Sequence, residues 1–420
     1  MLLEDFSLDK MGVNIETAAN KGLIMLIQRR TPRRLAFFLT LMLASYTCVA
    51  DSYASALSSN AQVKAISGGS GGSRVTVRTR SELEYQLCHQ HNANNVCKDS
   101  EPRIIEVIGD IDFTNSEGQE TSTGCYYDPK NPQKALLTKA DPEHACVGNG
   151  NVKQPISFDK AGTHPLLVGS NKTIVGHDTS AKLTGKGLLL KHVENVIVQN
   201  LTIEGINPAV VWAGDALDLS DVKRILIDHN LFKMIGRQMI VGHFGEQDNI
   251  IVSNNIFDGS TPYYKEGHYW NVLFIGTSST KVTISGNWFR NFSGRAPALH
   301  GQGSFVIVNN LYQNGAGNAL ELNDNVDVLL EGNVFENVHQ PIARKSGLIF
   351  ALTQRDVTGD NSCNTRLGRR CEANQVNGSK PAQGFERMQE ALGGFSDWKI
   401  GNPRHVDAVA DTVRTTAGPR

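Results

Sequence analysis

Three charged residues stand out because each interrupts an apolar segment. Asp215 follows Val-Trp-Ala-Gly, Arg237 follows Ile-Gly, and Arg295 lies between Ser-Gly and Ala-Pro-Ala-Leu. An arginine side chain stays protonated in proteins, and a fixed donor that faces a developing oxyanion accelerates a reaction by about 10²–10³-fold. The alternative is a surface ion pair between Asp215 and Arg237, worth about 0–1 kcal/mol. The fold decides between these interpretations.

The elements that must position these residues are repeated along the chain. Six short β-branched strands are each followed by an asparagine and an apolar pair, and successive asparagines are 23 to 32 residues apart. These asparagines are Asn200, Asn230, Asn255, Asn287, Asn310 and Asn333. A repeat near 25 residues with strand and turn content is typical of a solenoid. The sequence predicts an all-β, single-stranded, right-handed parallel β-helix with a ladder of stacked asparagines, which suit left-handed bends. A β-sandwich is the alternative.

This fold gives the spacing of the charged residues a meaning. Asp215 and Arg237 are 22 residues apart, about one coil, and Arg295 follows 58 residues later, about two more coils. Stacked strands lie about 4.8 Å apart. We therefore predict that the three side chains line one groove on one face of the solenoid.

Both ends of a solenoid must be covered. Ser81 and Glu84 predict a capping box at the start of a short helix that closes the N-terminal end. Residues 346–420 lose the repeat and contain a possible helix at 385–392, so a covering tail is expected. The predicted division is an N-terminal extension with a signal peptide (1–56), the β-helix (57–345) and the tail (346–420).

The N-terminal segment has the features of a secretory signal peptide. Four arginines between residues 29 and 34 precede an apolar run at 35–44 and then small residues. That run is shorter than the ~20 residues of a membrane span, so secretion to the extracellular space is predicted. Removal of Cys48 leaves six cysteines in sequence-local pairs. The predicted disulfides are Cys88–Cys97, Cys125–Cys146 and Cys363–Cys371.

The overall charge argues against two classes of partner. The chain has 41 Lys+Arg and 42 Asp+Glu, a formal net charge of −1. A nearly neutral chain has no general attraction for nucleic acid or for an anionic membrane. We expect neither partner, and we expect a monomer.

Longer motifs around these residues resemble a known family. Residues 158–335 are similar, in order, to the pectin lyases of the pectate and pectin lyase family. The matching segments are 158–162, 170–176, 206–208, 211–216, 227–229, 235–238, 268–270 and 293–297. The resemblance implies the same right-handed parallel β-helix and β-elimination of homogalacturonan. It places Arg295 at C5 of the reacting sugar. We predict that Asp215 and Arg237 form a hydrogen-bonded pair, with Arg237 pointing toward the ester carbonyl.

The positions that resemble a calcium site favour a pectin lyase over a calcium-dependent pectate lyase. Where pectate lyases carry four acidic residues for Ca²⁺, this chain has Ala213, Asp215, Arg237 and Val241. Calcium takes about six to eight oxygen ligands, and a guanidinium repels it, so no metal and no cofactor are predicted. His300 stands where pectate lyases carry a second arginine, which fits a neutral, methyl-esterified polymer.

Aromatic surfaces are expected to bind this neutral polymer. The resemblance places Trp212 and Trp270 at positions where pectin lyases carry aromatic residues, and Tyr269 lies beside them. Together with His300 these are the predicted substrate-binding residues, with core packing as the alternative for the aromatic ones. Arg295 is either a deprotonated base or a cation that stabilises the enolate, and the base stays unassigned.

The same fold leaves three alternative functions. They are a calcium-dependent pectate lyase on de-esterified substrate, a non-catalytic glycan-binding β-helix and a glycan hydrolase. A hydrolase needs two neighbouring carboxyl groups, whereas Asp215 and Asp218 are predicted to face opposite sides of a strand. The predicted partner is therefore the polysaccharide pectin.

Overall fold

Parallel strands dominate the part of the chain that the computed structural model describes. The described residues are 66–92, 94, 96–126, 134–137, 146, 152–354, 356–380, 384–395, 398 and 400–420. The predicted signal peptide and Cys48 lie outside them. One sheet of 21 strands, parallel throughout, follows the chain from end to end of this region, and a second sheet has four strands.

The strands are short and closely spaced. In chain order they are β1 (Ser73–Val77), β2 (Arg103–Val107), β3 (Asp110–Asp112), β4 (Gln119–Tyr126), β5 (Ala135–Leu137), β6 (Gln154–Asp159), β7 (Leu166–Val168), β8 (Lys172–Gly176), β9 (Lys182–Thr184), β10 (Leu188–Gln199), β11 (Thr202–Ile206), β12 (Val210–Val211), β13 (Leu217–Asp228), β14 (Leu231–Ile235), β15 (Ile240–Ser253), β16 (Ile256–Asp258), β17 (Val272–Gly276), β18 (Lys281–Ser285), β19 (Trp288–Arg290), β20 (Ala298–Val308), β21 (Leu311–Leu322), β22 (Asn325–Glu331), β23 (Val334–Arg344), β24 (Leu348–Ala351) and β25 (Gln375–Asn377).

Successive coils are in register, so residues of one kind stack on each other. Val196 pairs with Ile225, Ile225 with Ile250, and Ile250 with Val282, and all four are buried. A second row of buried rings has centroids 5.2, 4.5, 5.0 and 4.7 Å apart and runs through Phe232, Phe257, Phe289, Tyr312 and Phe335. These rows fill the interior of the coils, and the predicted parallel β-helix is confirmed.

The asparagine ladder is present, but it lies one residue after the left-handed bend. Each buried amide donates to the side-chain oxygen of the next at 2.9 or 3.0 Å, in the order Asn230, Asn255, Asn287, Asn310, Asn333 and Asn374. The inclusion of Asn200 is wrong. Asn200 occupies the bend itself (φ 58°), as His229 does in the next coil (φ 53°), and Leu201 takes the equivalent ladder position.

Replacing Asn287 by alanine is expected to lower the free energy of unfolding by about 2–5 kcal/mol. The substitution leaves the backbone N–H and one of the two side-chain N–H groups of Asn255 buried without an acceptor, while the other still donates to the carbonyl of Ile227, and each orphaned donor costs about 1–3 kcal/mol. Urea unfolding measures the loss. The matched control is Asn325→Ala, at an exposed position, which is expected to stay within about 0.5 kcal/mol. Equal stabilities of the two variants would contradict a stabilising ladder.

A short helix, α1 (Arg80–Leu87), packs on the first strands of the stack. Its N-cap is Thr79, whose hydroxyl accepts the N–H of Glu82, while the Glu82 carboxylate accepts the N–H of Thr79. The capping box predicted at Ser81 and Glu84 is therefore wrong by two residues, because Thr79 and Glu82 offer the same spacing one half-turn earlier. The predicted helix itself is present at the N-terminal end.

The coil stack continues beyond the predicted boundary at residue 345. β24 pairs with β22, and β25 pairs with β23, both in parallel. The helix predicted at 385–392 is wrong over its first half. The N–H of Met388 donates to the carbonyl of Ile349, and Arg387 forms a bridge with Phe350, so the backbone before residue 389 pairs with an edge strand. A 3₁₀ helix at Gln389–Phe395 overlaps the second half of the predicted segment.

The C-terminal region contains two helices that the sequence reasoning missed, α2 (Val357–Leu367) and α3 (Val409–Thr416). α3 places Val409 and Val413 on the outer face of the stack against Leu311 and other apolar residues. None of the helices in the described residues is long and apolar enough to cross a bilayer.

Three disulfides staple the segments that lie outside the regular coils. Their Cα–Cα distances are 5.9, 5.9 and 5.7 Å, and their pairings are those predicted: Cys88–Cys97, Cys125–Cys146 and Cys363–Cys371. The first follows α1, and the third joins α2 to the segment after it. The second belongs to the side lobe described next.

The side lobe is the four-stranded sheet of β4, β5, β6 and β12. β4 is antiparallel to β5 and to β6, and β12 is parallel to β5. Its apolar cluster contains Ala135, Leu137, Ile156, Phe158, Val210 and Ala213. Because β12 lies on the coil that leads into Asp215, the side lobe forms a wall beside that residue.

Candidate active site

The charged residues lie where four successive coils enter one row of strands. β13, β15, β17 and β20 pair in that order. At the start of these strands the four coils are in register. Two residues before the first position in register, the coils carry Asp215, Gln238, Trp270 and Arg295. Three coil steps of about 4.8 Å put the backbones of Asp215 and Arg295 roughly 14 Å apart along one groove, and Arg237 lies between them next to Gln238.

Asp215 and Arg237 form a bidentate ion pair. The Nε of Arg237 lies 2.9 Å from one carboxylate oxygen, and a terminal nitrogen lies 2.9 Å from the other. The backbone N–H of Gln238 also donates to Asp215 at 2.7 Å. Both side chains are largely buried, and burial raises the pKa of Asp215 while Arg237 opposes that shift. Two parallel hydrogen bonds fix the guanidinium plane in the groove.

Trp212 stacks on this pair at the mouth of a cavity. Its ring centroid lies 4.2 Å from the guanidinium carbon of Arg237, and the side chain remains 39% exposed. The cavity, of about 350 Å³, is lined on one side by Trp212, Asp215, Asp218 and Arg237 and on the other by the side-lobe residues Glu120, Leu137 and Phe158. A partly exposed, flat ring beside fixed polar groups suits a sugar.

The prediction that Asp215 and Asp218 face opposite sides of a strand is wrong. Asp215 lies in the turn before β13, where strand alternation does not apply, and both aspartates line the same cavity. Asp218 accepts a hydrogen bond from the ring of His243 at 2.7 Å, whereas Asp215 is held by Arg237. The two carboxylates thus have separate partners.

Arg295 is held by its backbone, and its guanidinium lies beside Tyr269. The residue adopts a left-handed conformation (φ 46°), and its carbonyl accepts the N–H of Val272 at 2.7 Å. The guanidinium carbon lies 5.4 Å from the ring centroid of Tyr269. The residue as a whole is half-buried, and its Nε is buried without a hydrogen-bond partner among the described residues.

Two of the predicted substrate-binding residues lie together one coil before Arg295. The rings of Tyr269 and Trp270 meet edge to face with centroids 5.3 Å apart. Burial raises the pKa of the Tyr269 hydroxyl, and the nearby carboxylate of Glu321 raises it further. Tyr269 therefore stays protonated at neutral pH and acts as a donor.

His300 lies further along β20, where it is opposite Ile275. Its Nε2 is 3.2 Å from the side-chain nitrogen of Asn323. Burial lowers the pKa of His300, and the positive charge of Arg295 lowers it further. The ring is therefore neutral at pH 7. By the family resemblance, pectate lyases carry an arginine, a permanent cation, at this position.

The floor between these residues is apolar. Val241, Leu273 and Ala298 are neighbours on three successive strands and pack on one another. Asp218 pairs with Val241 at one end of this row, and Glu321 pairs with Ala298 at the other. Such a floor favours a neutral ligand over a polyanion, because it offers no cation to a carboxylate.

His268 belongs to this site, although the sequence reasoning gave it no role. Its ring Nε2 lies 2.7 Å from the carbonyl oxygen of Arg237 and 3.0 Å from that of Trp270. Its own carbonyl accepts the N–H of Ser293 at 3.0 Å. The ring therefore joins the coil of Arg237 to the coil of Trp270. Burial lowers its pKa to about 4.

The free energy of unfolding is expected to fall by up to about 3 kcal/mol as the pH is lowered from 6.5 to 4 because of His268. Its pKa is lower in the folded state than in the unfolded state, so acid protonates the unfolded chain first. The contribution of His268 to the free energy of unfolding is complete above pH 6.5 and is lost as the pH falls toward 4.

Urea unfolding of the wild type and of His268→Gln at several pH values measures this effect. Glutamine retains an N–H donor for the two carbonyl oxygens but does not titrate. The wild-type curve is expected to be steeper than the variant curve across this range. Parallel curves would mean that His268 titrates normally.

The positions that resemble a calcium site do not suit a cation. Ala213 and Val241 are buried and supply no side-chain oxygen. Both carboxylate oxygens of Asp215 already face the guanidinium of Arg237. A calcium ion takes about six to eight oxygen ligands, so the residues present do not fit it.

A cluster of metal-ligating side chains does occur near α1, outside the groove. It consists of His89, Asp99 and Glu101. Arg103 and Lys172 lie 3.0 and 3.2 Å from the oxygens of Asp99. Since these two cations already neutralise the cluster, it gives no reason to expect a metal there.

Comparison with known proteins agrees with the resemblance. Residues 148–370 match the sequence profile of a family described as pectate lyase. The chain is 33% identical over 388 residues to a probable pectin lyase A of Aspergillus fumigatus, which covers 90% of this chain and 98% of that protein. It is 32% identical over 394 residues to pectin lyase A of Emericella nidulans, with 91% and 98% covered.

The fold is also similar to that of a solved enzyme. A pectate lyase variant from Xanthomonas campestris superposes with a TM-score of 0.53 and 16% sequence identity, over 86% of this chain and 97% of that one. At this identity the likeness supports the β-helix fold alone.

Proposed function

The chain belongs to the pectate lyase family of polysaccharide lyases, and we propose that it is a pectin lyase that cleaves methyl-esterified homogalacturonan by calcium-independent β-elimination. The Asp215–Arg237 pair carries the proposal, because each carboxylate oxygen lies 2.9 Å from a guanidinium nitrogen. A calcium-dependent enzyme would need those oxygens for its metal. The curated relatives cited above are named as pectin lyases, which supports the same choice.

The character of the groove supports an esterified substrate. Its floor is apolar, Trp212 offers a half-exposed ring, and His300 is neutral at pH 7. A polymer of free carboxylates would need several cations along this surface, whereas methyl esters need none. The methyl ester also makes the C5 proton more acidic than a carboxylate would, so the reaction does not require a metal to neutralise charge.

The proposed reaction breaks the C5–H and C4–O4 bonds of the sugar and forms the C4–C5 π bond. A base, left unassigned, takes the C5 proton; the electron pair of the C5–H bond forms the C4–C5 double bond; and the leaving oxygen O4 takes up a proton to form an O–H bond. The product is a 4,5-unsaturated methyl ester. Negative charge develops on the ester carbonyl oxygen, where the guanidinium of Arg295, a half-buried side chain beside Tyr269, supplies N–H donors. A preorganised donor of this kind contributes about 10²–10³-fold.

The test is the ultraviolet absorbance of the unsaturated product. High-methoxyl pectin and polygalacturonate are each incubated with the enzyme, with and without EDTA. We expect the absorbance to rise on pectin and to be unchanged by EDTA. Activity on polygalacturonate alone that EDTA abolishes would overturn the proposal in favour of a pectate lyase. New reducing ends without absorbance would indicate a hydrolase, and binding without cleavage a glycan-binding protein.

The cellular location and domain division belong to the same proposal. We propose that residues 1–56 contain the signal peptide, that the β-helix begins at 57 and that the mature, monomeric protein is extracellular. N-terminal sequencing of protein recovered from culture medium tests the cleavage, and light scattering tests the monomer. Mature protein beginning before residue 29 would contradict the signal.

A further inference from the structure

A carboxylate beside Arg295 has no role in the reaction described so far. Glu321 lies on β21 and pairs with Ala298 at the end of the apolar floor. One of its oxygens accepts the backbone N–H of Arg295 at 3.3 Å, and the other accepts the hydroxyl of Tyr269 at 3.2 Å. Glu321 thus joins three successive coils of the groove.

These contacts hold Arg295 in a conformation that an arginine does not favour. Its φ of 46° lies in the left-handed region, which costs energy for a residue with a Cβ atom. Glu321 fixes the backbone nitrogen of Arg295, and Val272 fixes the carbonyl at 2.7 Å. The left-handed turn places the guanidinium beside the ring of Tyr269.

The close approach of these groups requires a glycine before Arg295. A Cβ atom on Gly294 would stand 2.2 Å from a ring carbon of Tyr269 and 3.1 Å from an oxygen of Glu321. The first distance is a severe clash. Gly294 therefore leaves room for the Tyr269 hydroxyl to reach Glu321, which accounts for the glycine in the Ser-Gly-Arg sequence.

We propose that Glu321 is a positioning residue that orients Arg295. The proposal rests on the function given above. The Glu321 carboxylate holds the backbone N–H of Arg295 and the hydroxyl of Tyr269, the ring beside which the guanidinium lies. The other titratable or charged groups in this part of the groove are Tyr269, His300, Asp324 and Lys345.

The variants Glu321→Ala and Glu321→Gln separate hydrogen bonding from charge. Alanine removes both acceptors, and we expect kcat to fall at least about 30-fold while KM changes less than about threefold, the signature of an interaction made in the transition state. Glutamine keeps one acceptor for Arg295. We expect Glu321→Gln to recover about a third or more of the decrease in log kcat that Glu321→Ala shows. Glu84→Gln, at an exposed position on α1, is the control for charge.

An unchanged kcat in Glu321→Ala, or a rise in KM alone, would overturn the proposal.

Failure of the proposed function can be told apart from failure of this inference. The wild type's own preference between pectin and polygalacturonate decides the function, and the Glu321 variants are then assayed on whichever polymer it cleaves. Amide hydrogen exchange at Arg295 gives a readout independent of activity. Loss of the Glu321 acceptor is expected to accelerate that exchange at least about tenfold, which corresponds to about 1.4 kcal/mol. Unchanged exchange in both variants would overturn the proposal even in an inactive protein.

Discussion

Replacing Arg295 by alanine is expected to lower kcat on methyl-esterified pectin by about 10²–10³-fold or more, with little change in melting temperature. The loss should be large because the guanidinium of Arg295, a half-buried side chain beside the ring of Tyr269, is the donor proposed for the developing oxyanion. The backbone hydrogen bonds of Arg295 with Glu321 and Val272 survive truncation of its side chain, so stability should change little. Steady-state kinetics and thermal unfolding of the same preparation measure both.

Two further variants sharpen this result. Arg295→Lys keeps the charge on a shorter side chain, and it is expected to recover part of the activity without the planar geometry of the guanidinium. Arg74→Ala is the matched control, since that arginine is exposed and makes only a 3.5 Å contact with Glu106. Full activity in Arg295→Ala would remove Arg295 from the site, and equal losses in both alanine variants would point to a general defect.

The repeated part of the fold was predictable because its physics is periodic. Every coil must present a β-branched strand to the same interior, so rows such as Val196, Ile225 and Ile250 recur at nearly constant spacing in the sequence. The asparagines recur for the same reason. The error at Asn200 arose because the bend and the ladder are adjacent positions that both accept asparagine, and sequence spacing alone does not distinguish them.

The site was only partly predictable, because its contacts cross coils. Asp215, Arg237 and Arg295 interrupt apolar segments and are visible as exceptions. Glu321 contacts Arg295, 26 positions away, and His268 contacts Arg237, 31 positions away. No feature of the sequence near Glu321 or His268 indicates these contacts. The family resemblance identifies the motifs Gly-Arg-Gln and His-Tyr-Trp. It does not say that the ring of His268 joins the two coils that carry them.

The tail was the least predictable part for a related reason. The segment at 385–392 has apolar residues at a helical spacing, but the backbone of residues 386–388 pairs with β24, and a helix, of the 3₁₀ kind, begins only at Gln389. Tertiary pairing outweighs a weak local preference of this kind. α3, by contrast, is stabilised by the apolar surface under Val409 and Val413.

Arg237→Ala is expected to destabilise the protein by about 3–5 kcal/mol and to reduce activity on pectin as well, because it leaves the largely buried Asp215 carboxylate without its ionic partner. The ring of Trp212 also loses the guanidinium 4.2 Å from its centroid, so KM should rise. Chemical denaturation gives the stability change, and kinetics on high-methoxyl pectin give the change in KM.

The double variant Asp215→Asn with Arg237→Ala distinguishes a lost attraction from a stranded charge. If most of the single-variant cost is the unpaired Asp215 carboxylate, the double variant should be more stable than Arg237→Ala by about 1–3 kcal/mol. It should nevertheless remain poorly active, because the guanidinium that supports Trp212 is still missing. Equal stability of the single and double variants would mean that the Asp215 carboxylate gains a proton or a water molecule when Arg237 is removed. The ion pair would then serve the geometry of the groove rather than the stability of the fold.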